Sequence, residues 1–138
     1  MARNIRYIVV HCTAGNQRAT EADLRAEFKR KGWKNPGYHY VIFADGRVVQ
    51  LLDESGVANG VYGYNKICIH VAYTGGVDTS KPNLPAIDNR TNMQRAQLRL
   101  LLRIIKKRYP QATIVGHHDL NQRKACPSFN ARTEYADI

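Results

Sequence analysis

The sequence predicts a single α/β domain, a mixed β-sheet flanked by helices. Three observations carry this. Short β-branched or aromatic runs recur at Ile5 to Val10, Tyr38 to Phe43, Ile67 to Tyr73 and Thr113 to Gly116. Two stretches with helical apolar spacing follow capping signals at Thr20 and Thr91. The two kinds of segment interleave along the 138 residues with no break in composition, so residues 1–138 are expected to form one unit around one core.

Ile5 to Val10 has no polar alternation beyond Arg6, which suits a central strand covered on both faces and brings His11 to the point where that strand emerges. Thr20 caps a helix whose Leu24 and Phe28 lie one turn apart. Lys29, Arg30 and Lys31 complement its negative end, and Gly32 stops it. Tyr38 to Phe43 and Arg47 to Leu52 then form a hairpin about Ala44-Asp45-Gly46, with Gly46 supplying a positive φ.

Gly56 to Asn65 is glycine-rich and is expected to be a loop. The strand Ile67 to Tyr73 is closed by Gly75-Gly76, and the proline-containing segment from Val77 to Arg90 is a long loop of the kind that often borders a site. Thr91 with Gln94 forms a capping box. Leu98, Leu101, Leu102, Ile105 and Tyr109 follow at helical spacing, and Leu100 and Ile104 are expected to widen the buried face. Thr113 to Gly116 is a last short strand feeding a histidine pair. The tail after Phe129 is weakly patterned.

Lysine and arginine number 21 against 11 acidic residues, a formal charge of +10 that favours polyanionic partners without choosing among them. Cys12, Cys68 and Cys126 are odd in number and widely spaced, which argues against a disulfide framework and for synthesis in a reducing compartment. The N-terminal apolar run is short and lacks a small-residue cleavage site, so it reads as a strand rather than a signal peptide. No segment reaches the roughly 20 apolar residues needed to span a bilayer.

The most informative stretch is Gly116 to Phe129, GHHDLNQRKACPSF. With His11 at the end of another strand, its histidine pair and Cys126 provide two imidazoles and one thiolate, a set that leaves tetrahedral zinc with an open position and so points to catalysis. Lys124 is near enough to Cys126 to favour the thiolate. Consecutive strand residues point to opposite faces, so only one of His117 and His118 can reach a given metal, and spacing alone leaves that choice open. Cys12 and Cys68 read as small buried hydrophobes. His39 and His70 are left outside the metal site.

Val9-Val10-His11-Cys12, Gly32-Trp33, Gly37-Tyr38-His39, Asp45-Gly46, Gly63-Tyr64-Asn65, Gly75-Gly76 and HHDLNQRKACPSF, in that order, resemble the short phage-lysozyme-type N-acetylmuramoyl-L-alanine amidases of the peptidoglycan recognition fold. The similarity runs from about residue 5 to residue 130. It implies zinc ligands at His11, His117 and Cys126, catalytic roles for Tyr38 and Lys124, and hydrolysis of the amide between N-acetylmuramic acid and the first L-alanine of peptidoglycan. On that reading zinc acidifies water and polarises the scissile carbonyl. Lys124 and Tyr38 serve the oxyanion and the proton transfers. Asp119 is a candidate to orient a ligand histidine.

Tyr62, Tyr64 and Asn65 are candidate substrate contacts in the glycine-rich loop. The sequence departs from the pattern twice. The gap from histidine to Lys-x-Cys is one residue longer, and the loop histidine that often precedes Gly-Tyr-Asn is replaced near Gly60. The family likeness further implies an endolysin acting as a monomer, made in the cytoplasm without a signal peptide and reaching the cell wall through a membrane lesion made by a partner. A non-catalytic peptidoglycan-binding module of the same fold is the alternative, although such a module would usually lack the ligand cysteine. A nucleic-acid binder is suggested only by charge, and the basic residues are spread over both helices and several loops without a reader motif.

Overall fold

In the computed structural model, which describes residues 3–138, the expected strands assemble into one sheet. They are β1 (Tyr7–Cys12), β2 (Tyr40–Ile42), β3 (Val48–Gln50), β4 (Cys68–Tyr73) and β5 (Thr113–Gly116), in spatial order β3-β2-β4-β1-β5. Neighbours are parallel except for the antiparallel β2–β3 hairpin, so the sheet is mixed. The hairpin strands are shorter than expected: Tyr38 lies before β2, and Gly46 makes the turn at φ 88°. Ile67 ends a short 3-10 turn (Asn65–Ile67) rather than starting β4.

Strand alternation sorts the side chains into two layers. Ile8 and Val10 of β1, Ile69 and Val71 of β4, and Tyr40 and Ile42 of β2 pack under α2 (Asn92–Arg108), against Leu98, Leu102 and Ile105. Each fully buried aliphatic side chain among them contributes about 1.5–3 kcal/mol. On the opposite side, Val41 meets Leu24 and Phe28 of α1 (Glu21–Arg30), while Val9 meets Val61, Cys68 and Val115. Coverage on both sides explains why β1 and β4 read as continuous apolar runs.

Both capping boxes are present. Thr20 Oγ1 accepts from Asp23 N–H at 3.2 Å, and Thr91 Oγ1 accepts from Gln94 N–H at 3.0 Å. Gln94 does more than cap: its buried amide nitrogen donates to the carbonyls of Ile42 at 3.1 Å and Thr74 at 3.0 Å, tying α2 to the ends of β2 and β4.

One expectation is corrected. Leu100 and Ile104 do not widen the buried face of α2; they are 53% and 43% exposed. At 100° per residue they lie across the helix from Leu98 and Leu102, which face the sheet. The weakly patterned tail is ordered by packing. It forms the turn α4 (Ala131–Glu134), and Tyr135 is buried against Phe129 and the α2 side of the core.

Candidate metal centre

β1, β2, β4 and β5 run in one direction, so their carboxyl ends share one edge of the sheet, where open α/β sheets usually place their ligands. His11 lies at this end of β1. His117 follows β5 and opens the single turn α3 (His117–Leu120). The histidine pair is therefore helical rather than strand-like, and a rotation of about 100° per residue separates the two rings. His117 turns to His11, with ring centroids 4.8 Å apart. His118 turns to the Cys126 carbonyl, which accepts from its backbone N–H at 2.9 Å and from Nδ1 at 3.2 Å.

These bonds anchor the loop that carries Cys126 on one side. On the other, the backbone N–H of Cys12 donates to Cys126 Sγ at 3.1 Å. Cys12 is buried, as expected, and lies beside the site. Close packing there depends on Gly76, since a Cβ at that position would overlap Cys12 Sγ. Asp119 does not orient a ligand histidine: its carboxylate accepts from Gly116 N–H at 2.8 Å and closes the first turn of α3.

His11, His117 and Cys126 each offer one ligand atom, and these atoms lie within 4.8 Å of one another. Cys126 Sγ is 3.8 Å from His11 Nδ1. A thiolate at 2.3 Å and an imidazole at roughly 2.0–2.1 Å from tetrahedral zinc would be separated by about 3.5 Å, so the donor set fits. Burial, reinforced by His70 and His117, holds the His11 pKa well below the ordinary imidazole range. Burial and then the Lys124 charge hold His117 at about 4. Both rings are neutral near pH 7 and able to ligate. Burial and then the neighbouring Cys12 thiol raise the Cys126 thiol well above its ordinary value, while the Cys12 N–H and Lys124 act in the opposite sense; a divalent cation would add to the latter and favour the thiolate.

A cleft of ≈ 430 Å³ opens above this cluster. His11, His117, Tyr38 and Lys124 line it together, with Leu24, Phe28 and Trp33 forming an apolar wall. The Tyr38 ring centroid is 5.2 Å from that of His11, and Lys124 is exposed at the rim. Of the loop residues singled out from the sequence, Tyr62 and Asn65 line the cleft. Tyr64 does not. It turns inward and packs edge-on against Tyr7 at 6.2 Å.

His39 is held away from the site: its Nδ1 accepts from His70 N–H at 3.0 Å and its Nε2–H donates to the Gly56 carbonyl at 2.8 Å. His70 is different. It lies on the site side of β4 and touches the His11 ring, a contact that sequence reasoning missed because it depends on the pairing of Val9 with His70 across two strands.

A family model described as N-acetylmuramoyl-L-alanine amidase matches residues 1–129. The chain belongs to that family. As a member it is an amidase, and the cluster of His11, His117 and Cys126 falls inside the matched region. This amidase is 38% identical over 123 residues to the endolysin of Enterobacteria phage K11, covering 88% of this chain and 79% of that one. The Ph2119 endolysin, from a bacteriophage of Thermus scotoductus MAT2119, superimposes with a TM-score of 0.80 at 29% identity, covering 99% of this chain and 86% of that one. Drosophila peptidoglycan recognition protein SA, at 16% identity and a TM-score of 0.74 over 100% of this chain and 81% of its own, shares the fold. Among the described residues no helix is long and apolar enough to cross a membrane.

Proposed function

We propose that this peptidoglycan amidase holds zinc with His11, His117 and Cys126 and hydrolyses the amide between the lactyl group of N-acetylmuramic acid and the first L-alanine of the stem peptide. It does so as a monomeric endolysin that meets the cell wall after release from the cytoplasm. The observation that carries this reading is convergence: three ligand atoms within 4.8 Å of one another, drawn from β1, α3 and the loop after it, lie beneath a cleft that Tyr38 and Lys124 share.

Bound zinc supplies Lewis acidity, polarising the scissile carbonyl and bringing the pKa of water down to about 7. The side chains around it do the rest. Burial raises the Tyr38 phenol well above its ordinary 10, so the hydroxyl stays protonated and offers a hydrogen bond to the carbonyl oxygen or to the departing amine. Lys124, exposed at the rim, places a cation where negative charge develops on that oxygen. Its field also helps keep His117 neutral. Leu24, Phe28 and Trp33 keep water from one side of the cleft, which strengthens these interactions. The +10 charge suits a wall polymer rich in carboxylates and phosphates.

The test is metal analysis of the purified chain together with mass analysis of products from defined muropeptides, with and without chelator. Stoichiometric zinc, and stem peptides released with a free L-alanine amine only in the metal-loaded protein, are expected. Equal cleavage by metal-free protein would reject the zinc mechanism.

A further inference from the structure

We infer that His70, backed by Asn65, is a positioning residue that fixes the tautomer of His11 and presents its Nδ1 to the metal, and that Gly60 provides the space for it. This rests on the zinc reading above.

One donor in this network cannot be reassigned. The backbone N–H of Val61 points at the Asn65 side chain at 2.7 Å, so the amide atom facing it is the oxygen. The same oxygen lies 3.0 Å from His70 Nε2, which must therefore carry a proton. His70 Nδ1 is 2.8 Å from His11 Nε2. A proton on both His70 nitrogens would bury an imidazolium at a position with 0% exposure and no carboxylate partner. Nδ1 is thus the acceptor and His11 Nε2 the donor. The lone pair left to His11 is on Nδ1, the atom 3.8 Å from Cys126 Sγ. A fixed series of donors, starting from one peptide N–H, ends on a ligand lone pair.

The fold makes this arrangement specific to these residues. In the register of β1 on β4, Val9 pairs with His70 and His11 with Ala72, which brings both histidines to the same side of adjacent strands. Gly60 lies against the face of the His70 ring: a Cβ there would fall 2.6 Å from Cγ and Cε1, closer than any side chain tolerates. Gly60 and Asn65 belong to the glycine-rich loop, so that loop supplies both the hydrogen bond behind His70 and the gap that admits it. Partners of this kind orient a ligand imidazole and raise its basicity, and their loss typically lowers metal affinity about 10–100-fold.

The test compares zinc affinity, by competition with a chromogenic chelator, for the full chain and for His70→Phe, His70→Gln and Gly60→Ala. His70→Phe keeps a ring but no acceptor, His70→Gln keeps an amide oxygen, and Gly60→Ala displaces the His70 ring. His70→Phe and Gly60→Ala should weaken zinc binding about 10–100-fold, with His70→Gln losing less. Long-range proton–nitrogen spectra of the zinc-loaded wild type should show His11 protonated on Nε2 and metallated on Nδ1, with His70 protonated on Nε2. Zinc affinity within about twofold of wild type in His70→Phe, even with a lower melting temperature, would reduce His70 to packing and overturn the inference. Metal on His11 Nε2 would do so too, without any variant. A wild-type chain that takes up no zinc would instead sink the metal reading beneath it.

Discussion

Tyr38 and Lys124 share a cleft with His11 and His117 of the His11, His117 and Cys126 cluster but do not belong to that cluster, so under the proposed function chemistry and metal retention can be separated by substitution. Tyr38→Phe removes only a hydroxyl, leaving the ring against His11 at 5.2 Å and Phe28 at 5.8 Å. Zinc content should be unchanged and turnover should fall about 10²–10³-fold, the usual effect of removing one donor to an oxyanion. Lys124→Ala should behave similarly. Cys126→Ala should lose the metal itself, because two imidazoles alone make a weak site for zinc. Metal analysis beside stem-peptide release separates these outcomes, and full turnover by Tyr38→Phe would remove Tyr38 from the mechanism. These residues were legible because each sits in a short ordered motif. Choosing His117 over His118 needed the resemblance, since spacing along a presumed strand left it open. The structure brings His117 to His11 because the pair opens a helical turn. The place of His70 was invisible for a different reason: its contact with His11 follows from a register between strands about 60 residues apart, which no local pattern encodes.

At the scale of elements, the strands and both long helices follow from local chemistry: β-branched runs, reciprocal caps at Thr20 and Thr91, and apolar spacing. The apolar residues of α2, however, outnumber the positions that the sheet can cover. Leu102 is fully buried and Leu100 is 53% exposed. Leu102→Ala should therefore cost about 2–5 kcal/mol in denaturant unfolding, whereas Leu100→Ala should stay within about 0.5 kcal/mol. Equal losses would mean that the helix is rotated from the orientation described. The turn after β4 makes a sharper case. Gly76 has φ 92° and abuts Cys12, whose N–H holds Cys126 Sγ. Gly76→Ala is expected to lower the melting temperature and weaken zinc binding together, because the displaced Cys12 carries a bond to the ligand sulfur. Unaltered zinc affinity in that variant would show that Cys12 is not what holds Cys126 in place.

Over the whole molecule, the segment that bears Cys126 is held from its far side by a clamp around Arg90. The guanidinium is fully enclosed and lies 3.4 Å over the Phe129 ring. It donates to both oxygens of Asp88 at 2.9 Å, to Glu134 at 2.8 and 2.9 Å, and to the Tyr135 hydroxyl at 3.0 Å. The tail looked weakly patterned because its order comes from this long-range contact rather than from periodicity. The clamp also sets a pH dependence. Bonds from Arg90 hold the Glu134 carboxyl below its ordinary 4.5. Burial pushes Asp88 upward, but the bonds from Arg90, with help from Arg95, outweigh it and leave Asp88 below 3.8. Groups with depressed folded-state pKa values stabilise fully above their unfolded values and lose that contribution as pH falls through the folded ones. The melting temperature should be little affected by these groups near neutrality and should drop below about pH 4.5. Arg90→Ala takes the enclosed guanidinium from both carboxylates, leaving Glu134 without this partner and Asp88 with only the more exposed Arg95, and should cost about 3–5 kcal/mol at pH 7. Because those carboxylates would lose most of their preference for the ionised form when folded, with Asp88 keeping only the help of Arg95, the acid limb of the variant should also be shallower than that of the wild type. Parallel acid limbs in thermal melts from pH 7 to pH 3 would place the acid sensitivity elsewhere and reduce the clamp to a packing device.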